Sequence, residues 1–306
     1  MTTSTRNRLI TVFILLFPFI LFAGFLVSEI AGPLPPIHPL PNPNGYDDLV
    51  KAGQMVSSNS WNFEQMTGEQ LRETVSANAA ALALARTGLS HECRVPLQFS
   101  MAYATNHVHD LVALQMLAQA FATEGRLAEM EDRTNDAARS DLDTIHLGIE
   151  ASRGGTMLDG MVGTAIESSG LKPLQNISSR IDARTGRETV MALETLGSQK
   201  PSWAELIQQD NAWSRRTFPG IKYPLSKLVM FSSIKQARQK AGQKFEEHEK
   251  ETRQMTINLA VRTYELEKGH RPARPAELVP DYLKAIPQDP FTGNDLKIES
   301  ATRSTE

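Results

Sequence analysis

An all-α body carried on a single membrane-spanning helix is the architecture this sequence predicts, on three observations. A stretch of 19 residues without a charge, 9–27, opens on Leu9, closes on Val27 and holds five of the 12 phenylalanines. Beyond it, apolar residues recur every three to four positions, and no alternating run is long enough to build a sheet. Between the two lies a segment with six prolines in fourteen residues.

The 306 residues are 41% apolar and 22% charged, with a formal net charge of −3. That balance excludes collagen-like, low-complexity and fully disordered chains. Arg6 and Arg8 are the only charged residues before position 28, so the remainder carries 30 basic against 35 acidic side chains, a net of −5. An acidic body argues against a nucleic-acid partner, whose backbone demands basic contacts. Cys93 is the one cysteine, which excludes an intrachain disulfide, a Cys-based zinc cluster and a lipid anchor just after the apolar run.

Nineteen helical residues reach roughly 28 Å, enough for a hydrocarbon core of about 30 Å. Fifteen of the nineteen are Leu, Ile, Phe or Val. Together they favour insertion by about 5–9 kcal/mol on the scale for the helix centre. Pro18 is tolerated there as a kink. The run is longer than a signal peptide's apolar region, and Glu29 stands where a small-x-small cleavage site ending at Ala31 needs a small residue. Gly24, Phe25 and Glu29 have prepilin-like spacing, but they end the apolar run instead of preceding it, so the match is read as chance. Arg6 and Arg8 before the run, with Glu29, Asp47 and Asp48 after it, place 1–8 in the cytoplasm and 28–306 outside. The expected organisation is a cytoplasmic head over 1–8, a transmembrane helix over 9–27, a Pro-rich linker over 28–45, a helical body over 46–223, and a long helix with an irregular tail over 224–306. Pro33, Pro35, Pro36, Pro39, Pro41 and Pro43 favour polyproline II at about 3.1 Å per residue, a spacer of roughly 40 Å.

Within the body, Asn44 stands at the N-cap of a helix carrying Leu49, Met55 and Val56. Thr67 and Gln70 fit a capping box, and the helix they open carries Leu71, Val75 and Leu82 to Gly88. After a link at 91–96, a pattern runs from Phe99 to Phe121 and stops at Gly125. It resumes at Leu127 and continues through Leu142 to Ile149, before Gly154 and Gly155. This predicts a helical hairpin with a glycine turn. The stretch 118–142 looks like one tetratricopeptide-type pair, and without a second copy it reads as ordinary helix packing. Gly160, Gly163 and Ala165 in 157–169 suggest close helix approach, and Pro201 opens a helix with Trp203, Leu206 and Trp213. From Pro224 a long helix is expected to about Lys268. Its seam of Ile234, Ala237, Ala241, Phe245, His248, Thr252, Met255 and Leu259 is suited to pack on the body or on a partner helix.

The tail carries the most specific pattern. Gly269 stops the long helix, Pro272 returns the chain, and a turn falls at Asp289-Pro290. Leu278, Tyr282, Leu283, Ile286 and Phe291 are expected to pack back on the helix around Met255 and Leu266. The positions Gly269, Pro272, Leu278, Tyr282, Pro287, Asp289, Pro290, Phe291 and Gly293 resemble the C-terminal region of the major pseudopilins of type II secretion systems. The resemblance covers about 255–298, with Phe291 where the family usually has Trp, and some 200 residues separate it from the N-terminal helix. It implies a structural tail and, from family members that bind calcium in this region, Asp289, Asn294 and Asp295 as calcium candidates. The whole chain also resembles a set of bacterial single-pass membrane proteins with an anchor, a Pro stalk, the start Asn44-Gly45-Tyr46-Asp47-Asp48, a helical body and an Asp-Pro-Phe tail. That resemblance implies architecture and no activity.

Chemistry is sparse. His107, His109 and Asp110 form the densest cluster, but residues i and i+2 of a helix point about 200° apart, so the two imidazoles cannot share a metal. Cys93 beside His91 and Glu92 reads as a buried thiol and not a dyad. Gly154-Gly155 reads as a helix stop, and the pairs Glu124/Glu129 and Asp141/Asp143 as solvated helix faces. No catalytic residue and no cofactor is assigned. The expected function is a membrane-anchored extracytoplasmic scaffold that meets other envelope proteins. The alternatives are a pseudopilin-like component of a secretion machine and a hydrolase with a site between helices near His107–Asp110.

Overall fold

The computed structural model describes residues 24, 33–57, 63–220, 222–223 and 231–298. The predicted transmembrane helix, apart from Gly24, lies outside the described residues, as do 1–8, 224–230 and 299–306. Among the described residues no helix is long and apolar enough to cross a membrane.

What is described is helical, with one isolated antiparallel bridge, Gln288 to Asp295, and no strand. The elements are α1 (Gly45–Met55), α2 (Gly68–Ala77), α3 (Ala79–Leu89), α4 (Met101–Met130), α5 (Thr134–Ser152), α6 (Met157–Ile177), α7 (Ala183–Gln199), α8 (Trp203–Thr217) and α9 (Phe231–Lys268). Helix starts follow local chemistry. The Thr67 N–H donates to Gln70 Oε1 at 2.8 Å while the Gln70 N–H donates back to Thr67 Oγ1, the expected capping box. Ser202 and Glu205 form a second box at the start of α8, and Asp182 accepts the Thr185 N–H at 2.7 Å to start α7.

Three boundaries differ from expectation. The single helix expected over 67–88 is two, because the buried Asn78 side chain donates to the Thr74 carbonyl at 3.0 Å and accepts the Ser57 N–H at 2.9 Å, competing with the helical ladder. Helix α4 runs through Gly125. It ends at a Schellman turn with Asp132 at φ 56°, where the Asp132 and Arg133 N–H groups reach the Glu129 and Ala128 carbonyls. Asn44 precedes α1 without capping it: its amide donates to the Arg94 carbonyl and accepts the Arg94 N–H, both at 2.9 Å.

Two cores form on opposite sides of the α5–α6 pair. One gathers Tyr46 and Leu49 of α1, Leu82 and Ala85 of α3, Leu114, Leu117 and Phe121 of α4, with Leu147 of α5 and Ile166 of α6. The other gathers Ile145 and Ile149 of α5, Leu171 and Leu174 of α6, Val190 and Leu193 of α7, Ile257 and Val261 of α9, and the tail residues Leu278, Tyr282 and Leu283. The α9 seam packs on the body from Ala241 onward, with Ala241, Phe245, His248, Met255 and Leu259 buried, while Ala237 one turn earlier is exposed. Tail docking is as expected except at Phe291, which stays 48% exposed because the Asp289–Gly293 turn projects it outward.

The Pro-rich segment does not stand clear of the body over its described part. Arg216 donates to the Pro35 carbonyl at 2.5 Å while its guanidinium lies 5.0 Å from the Phe99 ring centre. Residues 36–40 and 94–99 line a common crevice of about 330 Å³.

Helices α5 and α6 approach closely at Gly148 and Gly163, where a Cβ on Gly163 would sit 2.4 Å from the Gly148 carbonyl oxygen. Gly163→Ala is expected to destabilise the fold by about 1–3 kcal/mol, the overlap outweighing alanine's helix preference. Urea unfolding measures it, and an unchanged or raised midpoint would contradict the packing.

Candidate functional site

Of the His107, His109 and Asp110 cluster, His107 is buried. The His107 Nε2 lies 2.6 Å from Asp159 Oδ1, and Nδ1 lies 3.5 Å from Asp110 Oδ2. Tyr103 stacks on the ring at 4.9 Å between centres, with Tyr46 at 6.5 Å. Asp159 is itself fixed, since Oδ2 accepts the Thr156 N–H and hydroxyl at 2.6 and 2.8 Å. Burial opposes protonation of His107, but the hydrogen bond and charge of Asp159, with Asp110 adding to them, hold its pKa above the ordinary value. The pair therefore ties the middle of the body to the first turn of α6 as an imidazolium–carboxylate bridge. His109 points the other way into solvent, as the helical geometry requires. A base and an orienting acid are present, but the ring's partners among the described residues are carboxylates, with no hydroxyl or thiol bonded to it.

Cys93 is buried, and its thiol faces the backbone carbonyls of Gly88 and His91 at 3.6 and 3.7 Å. Burial, then the Glu150 carboxylate, pushes the thiol far above its usual range, which leaves it un-ionised. The His91 ring faces Asp48 at 3.9 Å, so no dyad forms with Cys93.

A second buried network was not legible in the sequence. Lys200, after α7, meets Glu167 of α6 at 2.8 Å and Glu249 of α9 at 3.3 Å, and lies 4.7 Å from the centre of the Phe245 ring. His248 Nε2 lies 3.2 Å from the same Glu167 oxygen, and its Nδ1 is 3.1 Å from the Ser168 hydroxyl. Burial alone would raise the Glu167 carboxyl, but Lys200 and His248 outweigh it and hold it below the ordinary range.

Among the acidic pairs, the solvated-face expectation holds for none outright. Glu124, Asp143 and Arg86 form a half-buried cluster, and Glu129 pairs with Arg126 and Arg180. Asp141 is 2% exposed. The periodic neighbours Ala137 and Ile145, both buried four residues either side, mark its face as interior. It borders a cavity of about 790 Å³ between α4, α5 and α6. No hydrogen bond or ion pair reaches its carboxyl among the described residues, and burial, with the Glu129 charge adding, pushes its pKa up to about 8.

The chain matches no known family model, no curated protein and no solved structure.

In the tail, Asp289 Oδ1 accepts the Phe291 N–H at 2.8 Å while Oδ2 pairs with Lys250 at 2.7 Å. The Asn294 carbonyl accepts the Asp289 N–H, and Asp295 faces Gln288 across the bridge. The three calcium candidates are thus brought into one turn. No group of three or more His, Cys, Asp or Glu side chains among the described residues is placed to hold a metal.

Two predictions follow from these charges. Lys200→Met is expected to cost about 3–5 kcal/mol, because Glu167 keeps its burial and loses its main counter-charge. Chemical denaturation at neutral pH checks it, and a loss below 1 kcal/mol would contradict the network. The raised His107 pKa means that its contribution is full below the unfolded value of about 6.5 and fades as pH rises through the folded one. His107→Gln should therefore destabilise more at pH 6 than at pH 9, by roughly 1–3 kcal/mol at the acidic end. Equal losses at both values would count against the bridge.

Proposed function

We infer that this protein is a membrane-anchored, extracytoplasmic interaction protein of the cell envelope, held at the membrane by residues 9–27. The observation that carries the interaction reading is an open groove of about 860 Å³ walled by α3, α4, α5 and α7. Its floor holds Leu127, Ala128 and Leu142, and Met191 stands on its wall 63% exposed. Its charged rim is internally neutralised, with Arg86 paired to Glu124 and Asp143 and Arg133 paired to Asp136. Such a surface offers apolar contact without a large desolvation penalty, a combination suited to side chains of another polypeptide. The anchor and its orientation are supported by the uncharged 19-residue run and by Arg6 and Arg8 ahead of it.

A photo-activatable residue at position 191 of the full chain, expressed in a bacterial host, should give discrete light-dependent products with envelope proteins. Met191→Asp in a chain labelled elsewhere on the groove should reduce those products at least tenfold while leaving the melting temperature unchanged. Absence of any light-dependent product would sink the reading. Recovery of secretion-machine subunits would shift it to the pseudopilin-like alternative. Protease added to intact spheroplasts should digest the body. Protection of the body would reverse the orientation.

A further inference from the structure

The cavity that Asp141 borders differs from the groove in what it lacks. Two acceptors turn up on its walls without their donors. Asp141 is 2% exposed, and its carboxyl has no partner among the described residues. The Gln119 Oε1 on α4 is buried and unbonded. Buried acceptors left in this state cost free energy unless something donates to them. The remaining walls supply apolar contact through Ala122, Ala137 and Ile177. At about 790 Å³ the space is in the range of small-molecule sites. Gly125 keeps the approach open, since a Cβ there would come 3.1 Å from Asp141 Oδ1.

We propose that this cavity binds a small organic amine, its ammonium group donating to Asp141 while its alkyl part lies on the apolar walls. An ammonium has three donors and no acceptor, the complement of the Asp141 carboxyl and the Gln119 Oε1. The charged groups around Asp141 are Arg126 and Glu129 on α4, Lys172 on α6 and Glu64 on the turn at 63–65. Arg126 and Glu129 are bonded to each other at 2.9 Å, so they present little net charge to a guest. Without a guest the Asp141 carboxyl is held neutral near pH 7, and the incoming cation must displace that proton. An aliphatic amine keeps its charge throughout this range, so affinity should rise about tenfold per pH unit below about 8 and level off above it.

The test titrates the purified full chain in detergent with n-butylamine and 1,4-diaminobutane, using 1-butanol as the uncharged counterpart, by calorimetry and thermal shift. Saturable binding of at least one amine, about tenfold tighter at pH 7 than at pH 6, is expected, with 1-butanol much weaker. Asp141→Asn should weaken the amine at least tenfold and remove the pH dependence. It should also fold normally, with a melting temperature at or above that of the unaltered chain. That follows because the carboxyl binds its proton more tightly in the folded state, so between about 4 and about 8 the unaltered chain loses stability as pH rises. The proposal is overturned if neither amine binds, if 1-butanol binds as well as n-butylamine, or if Asp141→Asn binds amines unchanged.

Discussion

Everything in this fold is arranged around the contact between α5 and α6. At Gly148 and Gly163 the two backbones meet without intervening side chains, and Gly170 extends the approach, with the Asp141 carbonyl 2.5 Å from where its Cβ would be. The pair forms a thin central wall. Residues on its two faces belong to different cores: Leu147 looks toward α1, α3 and α4, while Ile145 and Ile149 look toward α7, α9 and the tail. A wider spacing would leave both cores short of packing at once, which is why small residues are concentrated here.

The ionic groups extend that wall outward. His107 and Asp159 pin the start of α6 to α4, and Glu167 joins its middle to Lys200 and α9. Both bridges are buried, so each fixes geometry at the expense of desolvation, and each acts between elements far apart in sequence. Placed on a surface they would contribute little. In these positions they determine which helix lies against which.

Much of this could be read from the chain alone where the determinants are local. The Thr67/Gln70 capping box, the seam of α9 from Ala241 to Leu259, and the burial of Leu278, Tyr282 and Leu283 depend on spacing within one segment. The break at Asn78 depends on Ser57, twenty-one residues away, and has no local signature. Gly125 misled because glycine serves equally as a helix stop and as a place of close approach, and here it faces the carboxyl of Asp141. Asp141 itself could have been found: its spacing from Ala137 and Ile145 puts it on an apolar face, a carboxyl where a leucine would be ordinary. The Lys200–Glu167–His248 network could not, since it joins three helical regions. The Asn44-Gly45-Tyr46 start acquires a structural explanation: Asn44 clamps Arg94, Gly45 lies where a Cβ would meet the Gly88 carbonyl at 2.2 Å, and Tyr46 fills the core.

The fastening of the Pro-rich segment has a mechanical consequence. Arg216 grips the Pro35 carbonyl, and nine residues later Asn44 grips Arg94 through two bonds. A pull along the chain from its N-terminal side would meet the arginine bonds to the Pro33 and Pro35 carbonyls first and the doubled asparagine clamp second. The segment between them would peel away and lengthen before the load reached α1. The prolines then act as an extensible tether with two catches of unequal strength, and tension would be absorbed by unpeeling while the helical body keeps its shape.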